Sequence, residues 1–438
     1  MPRNARTSRP KLLLAQPDGT VIEHPYLEAS VRSGEELLAP IERPMAMPEF
    51  GKLVHLPGRL PVGVDPETGE LELVRTFKVG RKQFIPSAVG ALLQPGYTRT
   101  YLPGEVKDEG GPLLPQWAYT AAGWDDEGPV VWALRTDRRT HWNPERFSTA
   151  DLKLRVKAQQ KALPGNRVLK QLSTCALVYR CFTSQNIFYG REEGAIPASV
   201  ACNARCVGCI SDQPEDGGPA SHERMEEGPA GAEMAAVALH HLAQAGDRAM
   251  VSFGQGCEGE PLTRFKMIAE AIRTIRAQTP HGSININTNA SLPKALDALF
   301  DAGLDAVRVS LNSAVKDLYE AYYRPVKYGW EQVEESIALV RRRGGYLALN
   351  LLTFPGITDR EGEVDALIRL VKRYRVDQIQ TRSLCLDPLQ YLEVVRGKGA
   401  GGEPIGVRGM IDALKKSAPW LVIGNFARGK AERRIANA

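Results

Sequence analysis

From about Ile196 onward the chain alternates short strand-like and longer helix-like segments, and this rhythm constrains the fold more than any other feature. "AMVSF" (249–253) precedes a helical pattern of Phe265, Ile268, Ile272 and Ile275. "SININ" (283–287) precedes "LPKALDALFDAG" (292–303), and "DAVRVSL" (305–311) leads into helical stretches near Val315 and Trp330. "YLALNLL" (346–352) leads into "EGEVDALIRLVKRY" (361–374). "VDQIQTRSL" (376–384) follows, and "LVIGN" (421–425) comes after a last helix. Strand–helix alternation of this kind builds βαβ units around a parallel sheet. With one more strand before residue 200, there are about six units, fewer than the eight of a closed barrel. The expected fold is α/β, an open or partial barrel.

The first 147 residues read differently. Turn signals recur ("QPDGT", "LPGRLPVG", "DPETGE", "KDEGGP") between short strand-like stretches such as "ELELVRTFKV" and "PVVWALRT". They predict a smaller β-rich N-terminal domain, with Trp117, Trp124, Trp132 and Trp142 in its core. Residues 148–195 read as a helical bridge, 196–390 as the barrel core, and 391–438 as a C-terminal helix and strand with a basic tail. Both ends are basic ("PRNARTSRPK", "ARGKAERRIANA") and read as solvated tails.

No apolar run approaches the ~20 residues that span a bilayer, and the basic start is followed only by "LLLA", too short for a secretory signal. The expected setting is cytoplasmic, with no membrane partner. In a reducing medium clustered cysteines serve metals or redox chemistry rather than disulfides. The net charge of +5 permits a nucleic-acid partner without arguing for one.

Three of the seven cysteines stand in "ASVACNARCVGCISDQP" (198–214): Cys202, Cys206 and Cys209, spaced C-x3-C-x2-C. A structural zinc site takes four protein ligands, commonly in two pairs, and this loop supplies three. An iron–sulfur cube held by three thiolates has one iron open to a ligand. The loop follows the first strand, on the edge where parallel barrels build active sites.

C-x3-C-x2-C in that place resembles the radical S-adenosylmethionine (radical SAM) superfamily, and further stretches follow in the family's order. "GCEGEPL" (Gly256–Leu262) resembles its G-G-E-P motif, "NTNAS" (Asn287–Ser291) the polar end of a later strand, and "VSLNS" (Val309–Ser313) its V-S-L-D-S segment. "LLTFPGITD" (Leu351–Asp359) resembles the turn that helps hold adenine. The resemblance implies a partial (β/α)6 barrel, a [4Fe–4S] cluster and S-adenosylmethionine as cofactors, and a small electron donor such as a ferredoxin or flavodoxin. The substrate it leaves open: a peptide, an RNA nucleoside or a small metabolite. It implies that Cys202, Cys206 and Cys209 ligate iron, that Glu260 accepts from the S-adenosylmethionine ammonium, and that Gly259 allows close backbone approach. Ser310, Asn312, Asn287 and Asn289 match positions that contact its ribose or carboxylate. Two departures stand out. Gly208 replaces a commonly aromatic residue, and Glu258 replaces the first glycine of G-G-E-P.

The strand pattern supports a polar cavity independently. Successive strand residues alternate faces. Asn285, Asn287 and Asn289 therefore share one face, as do Arg308, Ser310 and Asn312, and Gln378, Gln380 and Arg382. Arg382 is a candidate partner for a carboxylate of S-adenosylmethionine, of substrate, or of Asp387. Among the other cysteines, Cys175 and Cys181 match no ligand spacing and read as buried thiols; Cys257 and Cys385 sit beside candidate site segments. A different class of function, a non-catalytic iron–sulfur or zinc protein that senses redox state or binds nucleic acid, rests on the cysteines and the basic ends.

Overall fold

The computed structural model of the chain describes residues 9–213 and 220–435. Residues 2–8 and 436–438 of the basic ends therefore lie outside the described residues. The described chain divides into two compact units: one holds residues up to 138 with 353–365 and 382–416, the other residues 139–352, 366–381 and 417 onward.

The second unit is built on seven strands: β1 (Glu193–Ile196), β2 (Met250–Phe253), β3 (Ser283–Thr288), β4 (Ala306–Leu311), β5 (Tyr346–Thr353), β6 (Gln378–Ser383) and β7 (Val422–Gly424). They lie side by side in chain order in one parallel sheet. Its helices include α1 (Leu152–Ala162), α2 (Arg167–Leu177), α3 (Phe182–Tyr189), α4 (Gly231–Gln244), α5 (Phe265–Gln278) and α6 (Pro293–Ala302). Six βα units and a closing seventh strand make the partial barrel expected from the alternation.

Local sequence explains the elements. In α5 the buried set is Ile268, Ala269, Ala271, Ile272 and Ile275, an apolar stripe at helical spacing. α6 opens with Pro293 at its first position and closes on Gly303, whose φ of 109° suits glycine. In β3 and β4 the apolar phase Ile284, Ile286, Val307, Val309 and Leu311 is fully buried. The opposite phase is buried at Asn285 and Arg308 and half-buried at Asn287 and Ser310, and makes the polar contacts described below.

The first unit carries a ten-stranded sheet, antiparallel in its pairings, that includes Lys11–Ala15, Val21–Ala29, Arg59–Val64, Ser87–Leu92 and Thr120–Asp125. The tryptophan core expected there is not formed. Only Trp132 is buried in this unit; Trp117 and Trp124 are 46% and 37% exposed. Trp124 falls near the hairpin end of its strand, opposite Pro129. A main core cluster is aliphatic and small instead: Leu13, Ala15, Val89, Ala91, Ala122, Val131 and Ala133. Trp142 belongs to the second unit, stacked at 5.0 Å on Phe426.

The described part of the C-terminal end is not a solvated tail. A short helix, Lys430–Ile435, places the Arg433 guanidinium 4.0 Å from the Tyr346 ring centre, and Lys430 N–H donates to Ser283 Oγ at 2.7 Å.

In the first unit, Arg59 is buried with its Nη2 2.5 Å from Asp387 Oδ2 and its Nε 3.5 Å from Glu105. Asp387 also accepts from Leu114 N–H at 2.9 Å and caps the helix Pro388–Val395 through Leu389 N–H. Asp387 thus accepts from Arg59 and two backbone amides. Breaking a buried pair leaves an uncompensated charge, at a cost of about 3–5 kcal/mol. We expect Asp387→Ala to lower the denaturant midpoint correspondingly. The double variant Arg59→Met/Asp387→Leu should recover part of the loss; a single-variant loss below about 1 kcal/mol would show that water reaches the pair.

Candidate active site

The loop after β1 carries the three cysteines, and the loop after β2 holds it in place. Gly259 N–H donates to Ser199 O at 2.9 Å and Glu260 N–H to Ala201 O at 2.8 Å. The backbones approach so closely that a Cβ on Gly259 would overlap the Ala201 carbonyl. Glu258 supplies the second tie. One carboxylate oxygen accepts from Ala198 and Ser199 N–H at 2.5 and 2.6 Å, the other from Gln255 N–H at 2.8 Å. Burial pushes its carboxyl up to about 8 against these hydrogen bonds. The residue that departs from G-G-E-P is therefore the one that fixes where the cysteine loop begins. Its signal in the sequence was a charge in a glycine's place, with no partner visible nearby in the chain.

Glu260 turns to the end of β3. It accepts from Leu262 N–H at 3.0 Å, Thr288 Oγ1 at 2.5 Å and Asn289 N–H at 2.8 Å, and burial pushes its carboxyl up to about 7. Asn289 in turn donates through Nδ2 to Asn203 Oδ1 at 2.9 Å, and Asn203 donates to Ser291 Oγ at 2.9 Å. Asn203, between the first two cysteines, was not anticipated. A second support is the last turn of the helix Lys316–Tyr323: Arg205 and Val207 N–H donate to Tyr323 O and Tyr322 O at 3.1 and 3.0 Å.

The thiols occupy one locality. Burial raises Cys202 and Cys206, and Cys206 is raised further by the charges of Cys202 and Cys209. Arg224 Nη2 stands 3.7 Å from Cys209 Sγ. Tyr319 and Tyr323 lie within electrostatic reach of Cys206, and the Tyr323 hydroxyl is buried without a partner. Among the described residues no three Cys, His, Asp or Glu side chains converge on a single-ion site. A polynuclear core takes thiolates around its corners, and three thiols on one loop can supply them.

The inner faces of the strands form a polar network. Glu193 Oε1 accepts from Ser252 Oγ at 2.5 Å and from Arg308 Nη2 at 2.9 Å. Asn285 Nδ2 reaches Ser252 Oγ at 3.0 Å and Asn287 Oδ1 at 2.9 Å, and Asn287 Nδ2 donates to Gly254 O at 2.5 Å. Arg308 Nε is buried without a partner. Ser310, paired in register with Asn350, is half-buried.

The other candidates fall differently. Asn312 is fully buried and spends Nδ2 on Leu318 O at 3.1 Å. Arg382, near the end of β6, and the adenine-turn segment 353–359, which starts at the last residue of β5, group with the first unit. There Arg382 and the buried Arg99 both act on the Cys385 thiol, which burial nevertheless raises. Gly356, at φ 82°, is packed so tightly on Gly34 that a Cβ would overlap its backbone nitrogen.

The sequence profile of the Radical SAM superfamily matches residues 196–369. Residues 196–369 form a radical SAM domain. Enzymes of this superfamily use a [4Fe–4S] cluster and S-adenosylmethionine and need a source of electrons. The chain is 28% identical over 216 residues to the GTP 3',8-cyclase of Chlorobaculum tepidum, covering 49% of this chain and 59% of that one. It is 27% identical over 178 residues to the FeMo cofactor biosynthesis protein NifB of Klebsiella pneumoniae, covering 37% of each. The match thus spans between about a third and three fifths of these curated relatives. A solved radical SAM methyltransferase from Sphaerobacter thermophilus aligns with TM-score 0.38 and 16% identity, over 53% of this chain and 66% of that one. The catalytic reading of the cysteine loop is favoured over a sensor or nucleic-acid binder.

Two outcomes follow. Gly259→Ala forces the two loops apart, so anaerobically reconstituted protein should show reduced cluster absorbance and weakened S-adenosylmethionine binding by calorimetry. Retention of both would mean the loops yield without cost. For Glu260, the folded value of about 7 lies above the unfolded 4.5. The folded state then holds the proton more tightly, and stability falls as pH rises through that window. Glu260→Gln should flatten the loss of melting temperature of the metal-free protein between about pH 5 and 7; an unchanged slope would assign it elsewhere.

Proposed function

We propose that the chain is a radical SAM enzyme that abstracts hydrogen from a polar substrate. The observation that carries this reading is the three-thiol loop at the end of β1, clamped to Gly259 and Glu258 of the neighbouring loop. Cys202, Cys206 and Cys209 would hold the [4Fe–4S] cluster. Bound there, the cluster would supply an electron for reductive cleavage of S-adenosylmethionine, the chemistry that would start hydrogen abstraction from substrate.

The chain's own residues prepare that site. Gly259 exposes backbone where a side chain would block approach. Glu260 fixes the end of β3, and its remaining lone-pair positions can accept from the S-adenosylmethionine ammonium. Asn287 and Asn289 orient the two loops, and each has a neighbouring polar group in place; their contact with the ribose or carboxylate would be made from these fixed positions. Ser310, half-buried on the inner face, suits the same role, while Asn312 acts by anchoring the turn that follows it. Tyr319 and Tyr323 stand on the Cys206 side of the loop, while Cys202 is exposed. The inner polar faces suit a ligand rich in hydrogen-bonding groups: a peptide, an RNA nucleoside or a small metabolite. Arg382 would serve a substrate carboxylate. A ferredoxin or flavodoxin would donate the electron, in the cytoplasm.

The test is anaerobic reconstitution with iron and sulfide, followed by S-adenosylmethionine and dithionite, with 5'-deoxyadenosine measured by chromatography. Wild-type protein should form it. Cys202→Ala, Cys206→Ala and Cys209→Ala should each abolish it together with the cluster absorption. A single variant that keeps full iron and activity would overturn the assignment of that residue.

A further inference from the structure

The cysteine loop shares a short antiparallel ladder with the chain that leaves the helix Lys316–Tyr323. Val326 N–H donates to Asn203 O at 2.9 Å, Arg205 N–H to Arg324 O at 3.3 Å, and Val207 N–H to Tyr322 O at 3.0 Å, while Ala204 bridges Pro325. A single register satisfies these contacts. It sets Arg205 directly opposite Arg324, and the next residues outward are Cys202 on one side and Lys327 on the other. Arg205, Arg324 and Lys327 are exposed, as is Val326, and Cys202 is the exposed thiol of the three in the loop.

The arrangement is costly in two ways. Like charges directly opposite each other on a ladder repel. Arg324 and Lys327 also hold left-handed backbone, at φ 46° and 62°, where a side chain is strained. Among the described residues none of the three cations stands in an ion pair. Glu320, one helical turn before Arg324, accepts instead from Trp330 N–H at 3.2 Å, and Glu331 pairs with Lys316 at 2.5 Å. Strain and repulsion kept at one place point to a use beyond the fold.

An unneutralised basic patch around an apolar residue, beside an exposed cluster thiol, suits one kind of partner. Electron transfer falls off steeply with distance, so a donor must dock where the cluster comes nearest the surface. Redox interfaces are small, and complementary charge steers their formation. On the radical SAM reading of the site, we propose that Arg205, Arg324 and Lys327, around Val326, form the docking surface for a small acidic one-electron carrier protein. The carrier is oxidised by one electron and the cluster held by Cys202, Cys206 and Cys209 is reduced by one; no atom passes between the proteins. The cations hold the acidic face of the carrier, and Val326 supplies the apolar contact between them. A single-stranded RNA, the rival polyanion, needs a basic groove that tracks its backbone, and three charges at one end of a ladder do not make one.

The test measures binding of an acidic flavodoxin and of an acidic ferredoxin, both oxidised, to the full chain by calorimetry, with the chain reconstituted and metal-free. Wild-type protein should bind at least one of them, more weakly as salt rises from about 0.05 to about 0.5 M. Arg205→Glu/Arg324→Glu/Lys327→Glu should weaken that binding by about tenfold or more. Arg205→Lys/Arg324→Lys, which keeps the charge, should retain it. These changes alter exposed side chains and leave the ladder's backbone bonds in place. In the same preparations 5'-deoxyadenosine formed with dithionite should be unchanged by the charge reversal, and that formed with the reduced carrier should fall. Dithionite needs no docking surface, so failure of its reaction in wild-type protein strikes the radical SAM reading, while the binding measurement reports on the surface alone. Should the triple variant not fold, Arg205→Gln and Lys327→Gln decide, each expected to weaken binding severalfold. No binding of either carrier by wild-type protein, binding indifferent to the charge changes, or a reversal that abolishes binding of a single-stranded RNA oligonucleotide and leaves the carrier bound would each overturn the proposal.

Discussion

The close passage of Gly259 past Ala201 sets the geometry on which the candidate site depends. Two loops from adjacent strands exchange backbone hydrogen bonds there, as the ends of a sheet do, but beyond the sheet itself. Only a glycine permits the spacing. Once it is set, the amides of Ala198 and Ser199 fall where one buried carboxylate, Glu258, can accept both. Glu260, two residues on, repeats the device toward Thr288 and Asn289. Two acids in one tripeptide thus bind the loops after β1, β2 and β3 together. Neither acts mainly through charge, since burial raises both. They act as acceptors for amides that would otherwise be orphaned.

Much of this was legible in the sequence because it is local. The period-two alternation of "SININ" and "VRVSL" places Ile284, Ile286, Val307 and Val309 on one face without knowledge of the neighbours, and the C-x3-C-x2-C spacing is contained in eight residues. The illegible parts are long-range. The charge of Glu258 is met by amides 59 and 60 residues away. Asp387 pairs with Arg59, 328 residues distant, which no local reading could find. Cys175, Cys181 and Cys257 share no spacing, so the cavity they line together could not be read. The tryptophans misled for a related reason. Clustering along the chain says nothing of which face each occupies, and a small sheet packed with Ala and Val leaves no room for four indoles.

The polar inner face poses an energetic question. A barrel normally fills its interior with branched apolar side chains, and buried polar groups cost stability unless paired. Here the pairing is largely internal. Glu193, Ser252, Asn285 and Asn287 hand hydrogen bonds from β1 across to β3 and back to the loop after β2, and Arg308 neutralises Glu193 from β4. The network therefore holds its shape without a ligand. What it leaves over is specific: the Arg308 Nε donor, unpartnered, and the half-buried Ser310 and Asn350 side by side in register. A ligand entering this face meets donors and acceptors already oriented by their neighbours, so little ordering cost remains at binding. The same satisfaction explains why a side chain such as Asn312 can match a cofactor-contacting position in sequence and still serve the scaffold. Its Nδ2 donates to Leu318 O in the first turn of the helix Lys316–Tyr323, so one side of the amide already anchors that helix to the end of β4.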